Sequence, residues 1–143
     1  MSVYFDSAYI AKCYVNEADS GRVRALLSRS GGGHSSSLAR VEVAATVMRH
    51  VRERALKPTH GARLLADFAS DVGAGVWTIA PVSDAFMQRV AARVSQLPAT
   101  VYLRAGDAIH LQAASEGGFA EVWTNDRHML AAAPSFGLQG RAV

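Results

Sequence analysis

Four acidic residues lie where the hydrophobic pattern of the chain changes from one element to the next. Asp6 directly follows the apolar run VYF, and Asp126 follows the run EVWT by one residue. Glu42 and Asp107 lie close to the beginnings of two expected helices. Crowded carboxylates repel and raise one another's pKa unless a cation intervenes. Because all-oxygen ligands without a nearby His/Cys pair favour Mg²⁺ or Mn²⁺ over zinc, these residues predict a divalent-cation site.

The elements that must position these acids are read from the hydrophobic periodicity. Expected strands lie at residues 3–5, 34–37, 76–80 and 121–124, with a last edge strand inside 137–143. Expected helices lie at 7–15, 20–28, 38 to about 56 with Ser37 as its cap, from Pro58, 83 to about 97, 105–115 and after Asp126. Strands that alternate with helices predict a parallel α/β sheet covered by helices on both faces. The carboxyl ends of such strands share one edge, where α/β sheets bind ligands, so we expect the acids to meet there.

Each acid also has a purely structural interpretation. Asp6 and Asp126 are of a residue type that caps helices well, and Glu42 could be a surface acid paired with an arginine. Asp107 is harder to explain in this way, because its helix is apolar almost all round and a buried acid needs a partner. No lysine or arginine is obviously placed in the sequence to neutralise all four acids, which favours a bound cation.

Length and composition limit the class of protein. The chain has 143 residues, of which 50% are hydrophobic and 19% charged, as expected for one folded domain spanning 1–143. No apolar run approaches the roughly 18 residues that cross a bilayer, and no signal-peptide pattern is present, so we expect a cytoplasmic protein without membrane contact. The net charge is +3, and almost all of the positively charged residues are arginine. Arginine suits a phosphate-bearing partner, but a genome rich in arginine codons would give the same composition.

Several smaller residues could support the acids. Ser7 and Thr124 could orient a bound water or a phosphate, or could be ordinary cap and turn hydroxyls. His110 is expected to be a satisfied core histidine and not a catalytic base, and a hydrogen bond to Asp107, three residues earlier, is the less favoured alternative. Lys12 could extend toward the acids or toward nucleic acid, although a surface lysine is the more common outcome.

One side of the third helix carries apolar residues whose environment the periodicity leaves open. Core packing is the preferred interpretation for most of a set that continues onto the next helix: Val41, Met48, Val51, Leu64, Leu65 and Phe68. The alternative is an interface with a second copy of the chain or with a partner protein.

The acids and their surroundings resemble a known family. Asp6 in YFDSAYIAKCYVNE, Glu42 in SSSLARVEVA, Asp107 in AGDAIHLQAA and Asp126 in TNDRHM are similar, in order and separation, to the acidic motifs of PIN-domain nucleases. The similarity is greatest to the VapC toxins of type II toxin–antitoxin pairs, and it runs from the first strand to the last helix. The resemblance implies a three-layer α/β/α fold with a central, mostly parallel sheet.

The resemblance also implies an activity. It identifies Asp6, Glu42, Asp107 and Asp126 as the catalytic, metal-binding acids, and Thr124 as the hydroxyl residue before the last of them. The expected protein is a Mg²⁺-dependent endoribonuclease toxin, with Mn²⁺ as a possible substitute, that forms homodimers and is inhibited by a cognate antitoxin. From the residues alone, a non-catalytic RNA-binding or partner-binding module with structural acids remains the alternative.

Overall fold

The computed structural model describes residues 2–143, in which five strands form one sheet and every strand is parallel to its neighbours. The strands are β1 (Tyr4–Phe5), β2 (Gly33–Ser36), β3 (Trp77–Ala80), β4 (Glu121–Trp123) and β5 (Gln139–Arg141). Their order across the sheet is β3-β2-β1-β4-β5. At least one helix lies between each pair of successive strands. Parallel strands require such a crossover connection.

The helices cover both faces of this sheet. They are α1 (Ser7–Tyr14), α2 (Ser20–Ser30), α3 (Leu38–Arg52), α4 (Pro58–Gly73), α5 (Asp84–Ser95), α6 (Ala105–Glu116) and α7 (Arg127–Ala132). A 3₁₀ turn at Ala133–Phe136 follows α7 and was not expected from the sequence. Within residues 2–143, no helix combines the length and the apolar character needed to cross a membrane.

Strand β1 lies between the two halves of the core. Tyr4 packs into one apolar cluster with residues of α5, α6 and α7, whereas Val3 and Phe5 pack into a second cluster with residues of α1 to α4. Successive side chains of a strand point to opposite faces, so β1 is buried on both. This arrangement confirms the predicted α/β/α layers around a parallel sheet.

Helix α3 begins at Leu38 as predicted but differs from its prediction in its cap, at its end and on one face. It ends at Arg52 rather than near residue 56, and the chain then turns through Arg54, whose φ is 62°. Ser37 precedes the helix without capping it, because its Oγ instead accepts a hydrogen bond from the Val82 amide at 3.1 Å. Val41 is 68% exposed and Met48 is 47% exposed, so the core interpretation fails for these two, whereas Leu64 and Phe68 on α4 are buried as preferred.

The register of the central strands positions the acids. Phe5 of β1 lies beside Trp123 of β4, and the Asp6 amide donates to the Trp123 carbonyl at 3.2 Å. Both strands end here, so the residues that follow them, Asp6 and Thr124, emerge side by side at the carboxyl edge of the sheet.

Candidate active site

A single cavity of about 470 Å³ at the carboxyl edge contains all four acids predicted from the sequence. Its lining comes from α1, the residue before it, α3, α6 and the turn before α7. The residues that line it include Asp6, Ser7, Lys12, Glu42, Arg49, Arg104, Asp107, His110, Asn125 and Asp126. The four acids therefore line one common cavity at the carboxyl edge, where the strand-end placement predicted them.

Asp6 is the most deeply buried of the four acids, with 5% of its surface exposed. It caps α1 by accepting from the Tyr9 amide at 2.8 Å through Oδ1, and its Oδ2 accepts from the Thr124 hydroxyl. Burial raises the pKa of Asp6, and these two hydrogen bonds oppose the rise without cancelling it. Asp6 thus both caps a helix and supplies a carboxylate to the cavity.

Glu42 projects from α3 and is held by two neighbours. The Ser7 hydroxyl donates to Glu42 Oε1 at 2.8 Å, and His110 Nε2 lies 2.7 Å from the same oxygen. Burial alone would raise the pKa of Glu42, but the contacts with His110 and Ser7 and the charge of Arg104 lower it below its ordinary value. Glu42 is therefore an ionised acid fixed at one oxygen.

Asp107 and Asp126 share an arginine. Arg104 donates from Nε to Asp107 Oδ2 at 3.2 Å and from Nη2 to Asp126 Oδ2 at 2.8 Å. Asp126 also caps α7 by accepting from the His128 and Met129 amides through Oδ1. Arg104 thus neutralises two of the four acids, and it was not singled out from the sequence. The Arg104 side chain is 61% exposed. Its ion pairs with Asp107 and Asp126 hold it across the mouth of the cavity.

Within residues 2–143, no group of three or more His, Cys, Asp or Glu side chains is gathered tightly enough to hold a metal ion. Each acid instead contacts a hydroxyl, an amide, a histidine or Arg104. The donor set nevertheless suits a hard divalent cation, because every acid offers oxygen. Asp6 supports this fit: in the described chain it forms no ion pair, and a buried carboxylate without a counter-charge is unfavourable.

Lys12 lines the cavity but is directed away from the acids. Its ammonium group lies 2.6 Å from Asp19 Oδ2 and 3.6 Å from Glu17 Oε2. Lys12 thus pairs with Asp19 and Glu17 rather than with the four acids, and with 15% of its side chain exposed it is not the surface lysine that was the preferred interpretation. The Asn125 amide also donates to Asp19 at 2.7 Å, so Asp19 ties α1 to the turn before α7.

Sequence reasoning missed Arg104, whereas His110 is the satisfied core histidine that was preferred, with partners that were not identified. The signal for Arg104 was its position three residues before Asp107, at the start of a helix, where such pairs meet. His110 contacts Glu42, Ser7 and Tyr4 instead of Asp107, and these partners lie 68, 103 and 106 residues away in the chain. Only the folded packing brings such distant groups together.

A five-stranded parallel sheet between helical layers, with acids at its carboxyl edge, defines the PIN-like α/β/α fold. The chain is similar in structure to Mycobacterium tuberculosis VapC20, a toxin that cleaves the sarcin–ricin loop, with a TM-score of 0.73 and 14% sequence identity over 91% of this chain and 94% of that one. It is also similar to VapBC2 from Rickettsia felis, whose structure is bound to a DNA fragment from their promoter, with a TM-score of 0.67 and 14% identity over 100% of this chain and 99% of that one. No protein-family model and no curated protein sequence matches the chain. The likeness establishes the fold.

Proposed function

We propose that the chain is a VapC-type, Mg²⁺-dependent endoribonuclease that cleaves RNA phosphodiester bonds. The observation that carries this proposal is the meeting of Asp6, Glu42, Asp107 and Asp126 in one cavity, with Asp6 buried and lacking a counter-charge. The activity printed for VapC20, cleavage of the sarcin–ricin loop, supports ribonuclease chemistry for a protein of this fold.

In the proposed site the four acids hold the cation, and Mg²⁺ or Mn²⁺ would acidify a water and offset charge on the phosphodiester. The chain's own residues prepare this site. Thr124 and Ser7 are buried hydroxyls that fix Asp6 and Glu42, so their role is to orient the acids. Arg49 and Arg104 line the cavity and provide positive charge for an RNA backbone, which arginine binds well.

The proposed biological role is that of the toxin of a type II pair, with residues 1–143 as one cytoplasmic nuclease domain that forms homodimers. VapBC2, with the same fold, supports a cognate antitoxin as partner. On this chain, Val41 and Met48 place exposed apolar side chains on α3, the helix that also carries Glu42. Exposed apolar residues of this kind suit a protein partner, which could thereby reach the cavity.

The competing proposal is a non-catalytic module that binds RNA or a protein. The caps formed by Asp6 and Asp126 and the ion pairs of Arg104 favour it, because they give three of the four acids a structural role. Such a module would bind RNA equally well in chelator and would cleave nothing when Mg²⁺ or Mn²⁺ is added.

The test replaces Asp6 and Asp107 separately by asparagine. Cleavage of labelled RNA is measured in Mg²⁺, in Mn²⁺ and in chelator, and thermal melting verifies folding. We expect each variant to lose more than about 100-fold in rate, which exceeds the effect of removing a residue that only supports a metal ligand. Asp67→Asn removes an exposed acid of α4 away from the cavity and should retain full activity.

Two outcomes would reject the nuclease proposal. One is full cation-dependent cleavage by a folded Asp6→Asn or Asp107→Asn protein, which would remove these acids from the mechanism. The other is wild-type protein that binds RNA in chelator and shows no cleavage with either cation, which would favour the binding module.

A further inference from the structure

His110 is a buried histidine with an unusually complete set of partners. It lies on α6 with 2% of its surface exposed. Its Nδ1 is 2.9 Å from the Tyr4 hydroxyl, and its Nε2 is 2.7 Å from Glu42 Oε1 and 2.9 Å from the Ser7 hydroxyl. Both ring nitrogens are thus engaged, and one of them faces an acid of the candidate site.

The partners determine where the hydrogens lie. The Tyr4 hydroxyl lies 2.9 Å from Nδ1 and can donate to that nitrogen when it carries no hydrogen. A carboxylate oxygen only accepts, so the 2.7 Å contact of Nε2 with Glu42 Oε1 requires a hydrogen on Nε2. A consistent chain results, in which Tyr4 donates to His110 and His110 donates to Glu42.

These hydrogen bonds engage one carboxylate oxygen of Glu42 and leave the other oxygen available to the cavity. Oε1 accepts from both Ser7 and His110, so its acceptor sites are occupied. Oε2 lies on the side of Gly106, where a Cβ added to that glycine would stand only 3.3 Å from it. Glu42 is thereby held in one orientation although it projects from a helix into an open cavity.

We propose that His110 is a positioning residue for Glu42, fixed by Tyr4, that directs Glu42 Oε2 toward the bound cation. This inference rests on the proposed function, because it assigns Glu42 to the cation. Outer partners that orient metal ligands typically change metal affinity 10–100-fold when they are removed. His110 itself touches neither cation nor RNA.

The central experiment compares His110→Gln with His110→Asn. The Gln amide reaches about as far as Nε2 and can still donate to Glu42, whereas the Asn amide reaches only as far as Nδ1. Binding of Mn²⁺ is measured by calorimetry without RNA. We expect the Asn variant to lose about 10–100-fold in affinity and the Gln variant to retain most of it. Equal affinity in wild-type and Asn proteins would overturn the proposal, as would equal losses in both variants.

Two controls separate positioning from packing. Gln112 is a second buried polar residue of α6 that donates to Glu116, so Gln112→Leu should affect stability but leave Mn²⁺ affinity unchanged. In a Glu42→Gln background, His110→Asn should cause no further loss of affinity, because its effect passes through Glu42. An undiminished loss in that background would show that His110 acts by another route and would overturn the proposal.

A spectroscopic measurement tests the same contact without cation or RNA. The ¹⁵N shifts of the His110 ring should show a hydrogen on Nε2 in wild-type protein, whether or not the His110→Asn protein folds. A ring protonated on Nδ1 alone would overturn the proposal. If wild-type protein binds no Mn²⁺ and cleaves no RNA while Nε2 carries its hydrogen, the proposed function fails and the Glu42 contact stands as a structural one.

Discussion

The four acids of the cavity fall into two pairs that are held in different ways. Asp6 and Glu42 are held by the neutral hydroxyls of Thr124 and Ser7 and by His110, all of them buried. Asp107 and Asp126 are held by Arg104, an exposed cation. Buried donors orient an acid and bring little positive charge, whereas an exposed guanidinium brings charge and can leave at small cost. We call Asp6 and Glu42 the fixed pair. Asp107 and Asp126 are the exchangeable pair, because a bound cation can replace their arginine counter-charge.

The largest expected effect concerns the uncompensated charge in the fixed pair. In chelator at neutral pH, Asp6→Asn should melt at a higher temperature than wild type, because Asn can keep the bond from the Tyr9 amide without burying a charge. Because burial raises the pKa of Asp6, removing its charge should raise the melting temperature above that of wild type, whereas the exposed control Asp67→Asn should not. With saturating Mn²⁺ only the wild type should gain stability, and the order should reverse.

The same variant has a defined pH dependence. The folded state holds the Asp6 proton more tightly than the unfolded chain, so wild-type stability falls as the pH rises from the ordinary value of about 3.9 through the raised pKa. The advantage of Asp6→Asn should therefore be absent near pH 3.5 and complete above the raised pKa. Melting curves of both proteins across this range measure it, with Asp67→Asn as the exposed control. A variant less stable than wild type at pH 7 in chelator would show that Asp6 carries no such penalty.

The fixed pair was partly predictable because backbone topology places it. Asp6 follows a strand buried on both faces, and a parallel sheet brings every strand end to one edge. The same logic predicted the position of Asp126 after β4. Local composition predicted the helices, although the left-handed turn at Arg54 that follows α3 has no sequence signal comparable to a glycine.

The partners of the acids were not predictable in the same way. Tyr4 and His110 are 106 residues apart and meet only because β1 and α6 pack face to face. Whether Arg104 turns toward Asp126 or toward solvent depends on a side-chain conformation that periodicity does not encode. The exposure of Val41 and Met48 likewise depends on which face of α3 packs on α1 and α4.

The exchangeable pair is tested by Arg104→Met. In chelator we expect little change in melting temperature, because exposed ion pairs contribute little to stability. Mn²⁺ affinity should rise several-fold, because the cation no longer competes with a guanidinium for Asp107 and Asp126. Affinity for RNA should fall, since the mouth of the cavity loses a phosphate-binding group.

Arg89→Met is the matched control for this effect. Arg89 is an exposed arginine paired with Glu116 at 2.8 Å, on α5 and away from the cavity. Its removal should change neither Mn²⁺ nor RNA binding. Unchanged or weaker Mn²⁺ binding by Arg104→Met would mean that Arg104 supports the cation site rather than competing for it, and the two pairs would then not differ as described.

The smallest expected effect concerns the glycine beside the fixed pair. A Cβ on Gly106 would stand 3.3 Å from Glu42 Oε2 and 3.7 Å from Leu38 Cδ2, so Gly106→Ala must displace the carboxylate by a few tenths of an ångström. Helical alanine is more stable than glycine by about 0.5–1 kcal/mol, so the melting temperature should rise slightly while Mn²⁺ affinity falls a few-fold. Gly21 is also the second residue of its helix, and a Cβ there meets nothing within 4 Å. Gly21→Ala should therefore raise stability without changing Mn²⁺ affinity. A loss of Mn²⁺ affinity in both variants would show that the loss does not arise from displacement of the Glu42 carboxylate.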